Sequence, residues 1–190
     1  LVSAYFIPGD SGTEVLTGFA EAGVETRVLT NALAATDVAP VHSAYMTYRD
    51  ELLDGGVTSL ELRPAAERKR ELHLSQMIAG SASSLHAKTF TVDGERIFVG
   101  SFNFDPRSAR LNTEMGFLIK SPALSRMMGQ GFDEHLSGRA YLVKQDDTGA
   151  LIWQETLDGA DRLHDSEPGT TLFSRFLVGF IGWLPIEWLL

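Results

Sequence analysis

Residues 85–103 read LHAKTFTVDGERIFVGSFN and show a strand–turn–strand pattern. Two short runs rich in β-branched and apolar residues, 85–92 and 96–99, flank Asp93-Gly94-Glu95, which is typical of two β-strands joined by a tight turn. The second run ends at Gly100, where the lack of a side chain permits close approach of another main chain. The segment therefore predicts two neighbouring strands.

Four polar side chains in this segment predict a phosphate-binding site. His86 and Lys88 are two residues apart, so on a strand they would share one face. An imidazole beside an ammonium favours an anion between them, and a phosphate would accept hydrogen bonds from Lys88. His86 could attack the phosphate or exchange protons with it. Ser101 and Asn103, also two apart, can bind phosphate oxygens without adding charge.

The flanking sequence predicts an α/β fold with a mixed β-sheet flanked by helices on both faces. Early strands alternate with helices, and such alternation favours a sheet covered by helices. The predicted strands are 1–7, 24–30, 57–62, 85–92, 96–99, 114–119, 141–145 and 151–155. The predicted helices are 13–22, 40–54 and 121–136, with a turn at 8–12 and a polar surface excursion at 64–84.

The composition limits the class of protein. The chain has 190 residues, of which 44% are hydrophobic and 22% charged, so it is long enough and apolar enough for one globular core. It has no cysteine, which excludes disulfides, thiol chemistry and cysteine-bound metals. Its net charge of -9 argues against nucleic acid as a partner. No His, Asp or Glu cluster has metal-ligand spacing, so no metal or cofactor is expected.

The chain begins inside an apolar run at Leu1, without Met, and we therefore expect a fragment of a longer protein. Its end is also apolar. Residues 172–190 are rich in aromatic and aliphatic side chains, but Arg175, Pro185 and Glu187 interrupt them, whereas a membrane span needs about 20 apolar residues. We expect a catalytic domain at 1–160 and an apolar tail at 161–190, which either lies at a membrane interface or packs on the domain.

The polar residues of the strand pair resemble the signature of the phospholipase D superfamily, His-x-Lys-x4-Asp-x6-Gly-Ser-x-Asn. All six positions and spacings are met, by His86, Lys88, Asp93, Gly100, Ser101 and Asn103. Further stretches resemble the bacterial cardiolipin synthase branch, and within it the type C group: 5–9, 30–37, 103–108, 112–114 and 167–170. The resemblance covers most of residues 1–125 and implies a phospholipase D-like half-domain.

The resemblance also implies a mechanism with two histidines. In this family one histidine attacks phosphorus and forms a phosphohistidine, while a second, from a second copy of the motif, protonates the leaving alcohol. This chain holds one copy, so either an N-terminal half with its own His-Lys-Asp motif or an identical chain in a homodimer must complete the site. With an N-terminal half, the resemblance makes His86 the acid and base; in a homodimer it serves in either role.

The resemblance assigns roles to further residues. It makes His86, Lys88 and Glu114 catalytic, with Glu114 bonded to the far nitrogen of His86, where it would fix the tautomer. Lys88, Ser101 and Asn103 would bind the phosphate. Asp93 and Gly100 are expected to be structural. Outside this set, His42 is expected on a helix surface.

The substrate implied is a phosphatidylglycerol-like phospholipid, with water or an alcohol as acceptor, at the bacterial inner membrane as a peripheral protein. Two alternatives remain open on the sequence: a nuclease of the same superfamily, and a non-catalytic lipid-binding half-module. The net charge argues against the first, and the intact motif argues against the second.

Overall fold

The computed structural model describes residues 1–64, 85–136 and 138–183. The predicted excursion at 64–84 lies outside them except for residue 64, as does the end of the tail beyond residue 183. The strands are β1 Val2–Ser3, β2 Arg27–Asn31, β3 Thr58–Leu62, β4 Lys88–Val92, β5 Arg96–Gly100, β6 Gly116–Lys120, β7 Ala140–Gln145, β8 Leu151–Leu157 and β9 Ala160–His164. The helices are α1 Gly9–Glu21, α2 Ala39–Asp54, α3 Pro106–Arg110, α4 Pro122–His135 and α5 Leu172–Gly182.

The described strands form one mixed sheet in the order β6-β5-β4-β1-β2-β3-β7-β8-β9. The three central strands, β1, β2 and β3, are parallel to one another. Every other neighbouring pair is antiparallel. The predicted mixed sheet is thus confirmed, with a parallel centre built from the alternating strands and helices of the first 62 residues.

Helices cover both faces of the sheet, as predicted. Val28 and Leu29 are neighbours on β2 and therefore point to opposite faces. Val28 belongs to a buried cluster with Leu16 of α1 and Leu52 of α2. Leu29 belongs to a second buried cluster, with Met128 of α4. The two clusters form separate apolar layers, one on each side of the sheet.

The sequence placed most helices and strands within a few residues, but the start of the chain differs. Helix α1 begins at Gly9, where we predicted a turn. Asp10 lies in its first turn, where a negative charge interacts favourably with the positive N-terminal end of the helix dipole. The first strand is confined to Val2–Ser3. Just beyond it, the Ser3 hydroxyl donates to the carbonyl of Tyr5 at 2.5 Å.

Three elements were absent from the prediction: α3, β9 and α5, whose residues were predicted only as an apolar tail. Because β9 pairs with β8, the sheet continues to His164, four residues past the predicted end of the catalytic domain. The division of the chain into a catalytic domain and an apolar tail remains a prediction.

Helix α5 lies on α2 by a narrow edge. Val178 is buried, and at Gly182 an added Cβ would lie 3.2 Å from the carbonyl oxygen of Ser43. The opposite face is apolar and exposed, and consists of Leu172, Phe173, Phe176, Leu177, Phe180 and Trp183. None of the helices within the described ranges combines the length and hydropathy that a membrane span requires.

A buried charge network connects α2 to the loop before α5. His42 is 3% exposed, so the expected surface position was wrong. Its Nε2 lies 3.2 Å from Glu167 Oε1, which also accepts from Arg49 Nη1 at 2.9 Å. The same Arg49 nitrogen donates to Glu61 Oε1 at 3.0 Å. Burial disfavours ionisation of Glu167, but the bonds and charges of His42 and Arg49 outweigh it and lower the pKa of this carboxyl.

Candidate active site

The residues predicted to react with the phosphate or bind it lie at one edge of the sheet, where the parallel strands β1, β2 and β3 end. Strand β4 runs antiparallel to β1, with Ser3 opposite Lys88, so β4 starts where β1 ends. Strand β5 returns antiparallel to β4, with Thr89 opposite Val99, so its end at Gly100 reaches the same edge. The parallel strands β1, β2 and β3 also end here, and in open α/β sheets ligands bind outside the carboxyl ends of such strands.

His86 and Lys88 lie next to each other at the start of β4. Strand β4 begins at Lys88, so His86 precedes it. Leu85 and Ala87 alternate with them and both pack in the second buried cluster, an arrangement that agrees with a shared face for His86 and Lys88. His86 is exposed. The Lys88 ammonium donates to the His86 carbonyl oxygen at 3.0 Å. The two residues are therefore linked through the main chain, and within the described residues the imidazole has no hydrogen-bond partner.

The charges of three carboxylates act on the Lys88 ammonium. Burial lowers the pKa of Lys88 most, while the charges of Glu114, Asp105 and Asp37 act in the opposite direction, and the net effect is a lowered pKa. Lys88 therefore releases its proton more readily than an exposed lysine. Asp105 is held by α3, whose first turn it caps by accepting from the Ser108 amide at 2.6 Å.

Glu114 contacts Ser101 and not His86. The Ser101 hydroxyl donates to Glu114 Oε2 at 2.5 Å, and Asn112 Nδ2 donates to Oε1 at 3.2 Å. The predicted bond from Glu114 to the imidazole is thus absent among the described contacts. The bond from Ser101, foremost, lowers the pKa of this exposed carboxyl. Ser101 also accepts from the Met115 amide at 3.0 Å, so its hydroxyl is firmly oriented.

Asn103 carries an unpaired buried atom at this edge. Its side chain is 9% exposed, and Oδ1 has no hydrogen-bond partner within the part of the chain that the structure describes. An unpaired buried polar atom is costly, which favours a ligand at this position. Rotation of the amide by a half turn would exchange Oδ1 for an N–H donor suited to a phosphate oxygen.

Asp93 and Gly100 have different surroundings. Asp93 lies in the β4–β5 turn with a φ of 55°, at the opposite end of β4 from Lys88. With a strand rise of about 3.3 Å per residue, it lies roughly 16 Å from Lys88. At Gly100 an added Cβ would lie 2.6 Å from the Met115 carbonyl oxygen and 2.8 Å from Gly116 Cα. The glycine is therefore needed for contact between β5 and β6.

The sequence did not single out Asn31, Tyr5 and Asp37 as part of this edge. Asn31 is 2% exposed and bonds to the main chain of Ala4 and Leu85. The Tyr5 hydroxyl donates to Asp37 at 3.3 Å. The sequence did contain one sign of this: Asn31 is a polar residue at the end of a buried strand, which could have indicated a position at this edge.

A cleft of about 770 Å³ lies beside this edge, but the described residues that line it do not include His86, Lys88, Ser101, Asn103 or Glu114. Phe102, Phe104 and Asp105, from the loop after β5, form one wall. Pro8, which precedes α1, also lines the cleft, as does Trp183, the residue after α5. The end of α5 therefore lies near the loop that holds Asn103. Within the described residues, no group of three or more His, Asp or Glu side chains could hold a metal ion.

The fold has a counterpart among solved structures. The crystal structure of a phospholipase D family member, Nuc from Salmonella typhimurium, superimposes with a TM-score of 0.56 at 14% identity, covering 76% of this chain and 80% of that one. The chain thus has a phospholipase D-type fold.

The family assignment rests on the sequence comparison. Residues 1–136 match the family model described as "Cardiolipin synthase, PLD-like domain", and the chain belongs to this family. Cardiolipin synthase C of Escherichia coli (strain K12) is 40% identical over 190 residues, which cover 100% of this chain and 40% of that protein. An uncharacterized protein of Helicobacter pylori (strain J99) is 31% identical over 180 residues, covering 93% of this chain and 34% of its own length. The chain therefore spans less than half of these curated relatives.

Proposed function

We propose that this chain supplies one half of the active site of a phospholipid phosphodiesterase or phosphatidyltransferase of the cardiolipin synthase type. The observation that carries the proposal is the meeting of exposed His86 with Lys88, Ser101 and Asn103 at one sheet edge. A cation, a hydroxyl and an amide there are suited to a phosphate, and an unpaired imidazole is suited to react with it.

The chemistry needs two imidazoles. One nitrogen attacks phosphorus, an N–P bond forms, and the P–O bond to the leaving alcohol breaks as the second imidazole protonates that oxygen. The second imidazole then takes a proton from water or an acceptor alcohol, whose oxygen attacks phosphorus and breaks the N–P bond. His86 serves as one of the two, and Lys88 balances the charge of the phosphate oxygens.

The second motif would come from another part of the same protein or from a second copy of this chain. Strand β6 supports this. It is the outermost strand on one side of the sheet, and all five of its residues are exposed. Met115, Phe117 and Leu118 are 64–71% exposed. Natural edge strands are seldom left apolar and bare, and this one begins two residues after Glu114. We infer that the second half covers it.

A membrane surface is the proposed source of the substrate. The exposed apolar face of α5, with its aromatic rings, has the composition of a helix that lies in the headgroup region. Trp183 at its end lines the same cleft as Asp105, whose charge acts on Lys88. A bilayer bound to α5 would therefore present phospholipids near the site. We propose peripheral attachment to the bacterial inner membrane, with a phosphatidylglycerol-like substrate.

The test uses the full-length protein with labelled phosphatidylglycerol and, separately, labelled DNA. We expect lipid turnover, and a loss of about 10²–10⁴-fold in kcat for His86→Gln because general acid–base or nucleophilic help is removed. His164→Gln on β9, at the other end of the sheet, is the matched control and should keep full activity. DNA cleavage without lipid turnover, or an unchanged kcat in His86→Gln, would overturn the proposal. Lipid binding without turnover would identify a non-catalytic module.

A further inference from the structure

We propose that Asn31 is a positioning residue that holds the main chain next to His86. This inference rests on the proposed function only in so far as His86 is the reacting group. Asn31 ends β2, is 2% exposed and lies on the same sheet edge as the candidate site.

The side chain of Asn31 fills a gap between two strands. The ladder between β1 and β4 ends at the pair Ser3 and Lys88. Beyond it, the Asn31 side chain bonds to both of the segments that adjoin this pair. Oδ1 accepts from the Leu85 amide at 2.8 Å. Nδ2 donates to the carbonyls of Leu85 at 3.3 Å and Ala4 at 3.2 Å. These bonds take the place of the ladder bonds that the diverging strands no longer make to each other.

The hydrogen-bond pattern requires an amide. Only an oxygen accepts from the Leu85 N–H, and only an N–H group donates to the two carbonyls, so the orientation of the Asn31 amide is defined. A carboxylate would place an oxygen against two carbonyl oxygens. An apolar side chain would leave three buried main-chain groups without partners, which is costly.

The consequence concerns His86, the next residue. Its main chain is held on one side by Asn31 through Leu85, and on the other by the Lys88 ammonium on its own carbonyl oxygen at 3.0 Å. The imidazole itself has no bond within the described residues, so the main chain sets only the point from which the side chain extends. A displacement of about 1 Å at a reacting group costs on the order of 10²-fold in rate.

The experiment compares Asn31→Asp and Asn31→Ala with the wild type in the full-length protein. With phosphatidylglycerol in mixed micelles, we expect kcat to fall about 10–100-fold. KM should change less than about threefold, because the phosphate-binding side chains of Ser101 and Asn103 lie on a different strand end. Leu52→Ala is the control: it removes a fully buried side chain of the α2 core and should lower Tm at least as much, with kcat unchanged.

Equal kcat in wild type and Asn31 variants would overturn the positioning role, as would a kcat loss of the same size in Leu52→Ala. A second measurement needs no variant. The Leu85 amide lies outside every strand, yet its bond to Asn31 should make its hydrogen exchange slow in the wild type. Fast exchange at Leu85 would also overturn the inference. A wild type without lipid turnover would instead contradict the proposed function and leave the exchange result as the test of Asn31.

Discussion

At the level of single residues, the site combines a partly buried lysine with carboxylates whose charges act on it. The spacing of His86, Lys88, Ser101 and Asn103 was enough to predict that they lie at the same end of the β4–β5 pair, because the two strands are antiparallel neighbours. Their partners were not predictable. The charge of Asp37 acts on Lys88, and the Ser101 hydroxyl donates to Glu114. Both interactions depend on the paths of loops, which residue spacing does not encode.

The pKa of Lys88 leads to a prediction for the pH dependence. The pKa of Lys88 lies below the ordinary lysine value of about 10.4. As the pH rises, kcat should therefore begin to fall at a lower pH than that at which a free lysine loses its proton. The charge of Asp37 raises the Lys88 pKa, so Asp37→Asn should lower it further and shift the alkaline limb to lower pH. The pH–rate profile of the full-length protein measures this.

Asp161→Asn is the control for Asp37→Asn, since Asp161 binds Gln154 and Thr156 within the β8–β9 pair. It should leave the alkaline limb in place. A limb that stays fixed, or moves to higher pH, in Asp37→Asn would show that Lys88 does not control it.

At the level of helices and strands, sequence periodicity located the elements better than their ends. Val41, Tyr45, Tyr48 and Leu52 recur at helical spacing in the sequence, and all four are buried on α2. Strand β4 was predicted to start at residue 85 but starts at Lys88, because Asn31 takes up the main-chain groups of Leu85. A side chain that is distant in sequence thus ends the strand, and a local pattern contains no sign of it.

Gly100 gives a prediction at this scale. A Cβ there would lie 2.6 Å from a carbonyl oxygen of the neighbouring strand, which the main chain cannot readily relieve. Gly100→Ala should therefore lower the free energy of unfolding by about 1–3 kcal/mol. Gly129→Ala on α4, where an added Cβ meets nothing within 4 Å, should be neutral or stabilising by up to about 1 kcal/mol. Chemical denaturation measures both. Equal stability of the two variants would contradict the role of close strand contact.

At the level of the whole molecule, the class of fold followed from the sequence, but its outer parts did not. The parallel centre and the helices on both faces were predicted from the alternation of elements. The edge strand β9 and the buried position of His42 were missed. The local sequence around His42 is typical of a helix surface. Its burial is explained by a contact with Glu167, which is distant in sequence but lies 3.2 Å away.

The exposed surfaces of the molecule are consistent with a protein that works as part of something larger. Strand β6 at one edge of the sheet and the outer face of α5 are both apolar and uncovered. They contact different elements, since α5 lies on α2 whereas β6 pairs with β5. Under the proposed function, the second catalytic half would cover β6 and the membrane would contact the outer face of α5.

The central claim is that one sheet edge of this chain forms half of a phosphate-binding site. The most direct measurement is a crystal structure of the full-length protein soaked with orthovanadate, a phosphate mimic. The account predicts the anion at this edge, with oxygens within hydrogen-bond distance of Lys88 Nζ and the Asn103 amide, and the His86 imidazole facing vanadium. An anion that binds elsewhere, or an edge that stays empty at saturating vanadate while Lys88 and Asn103 diverge, would contradict it.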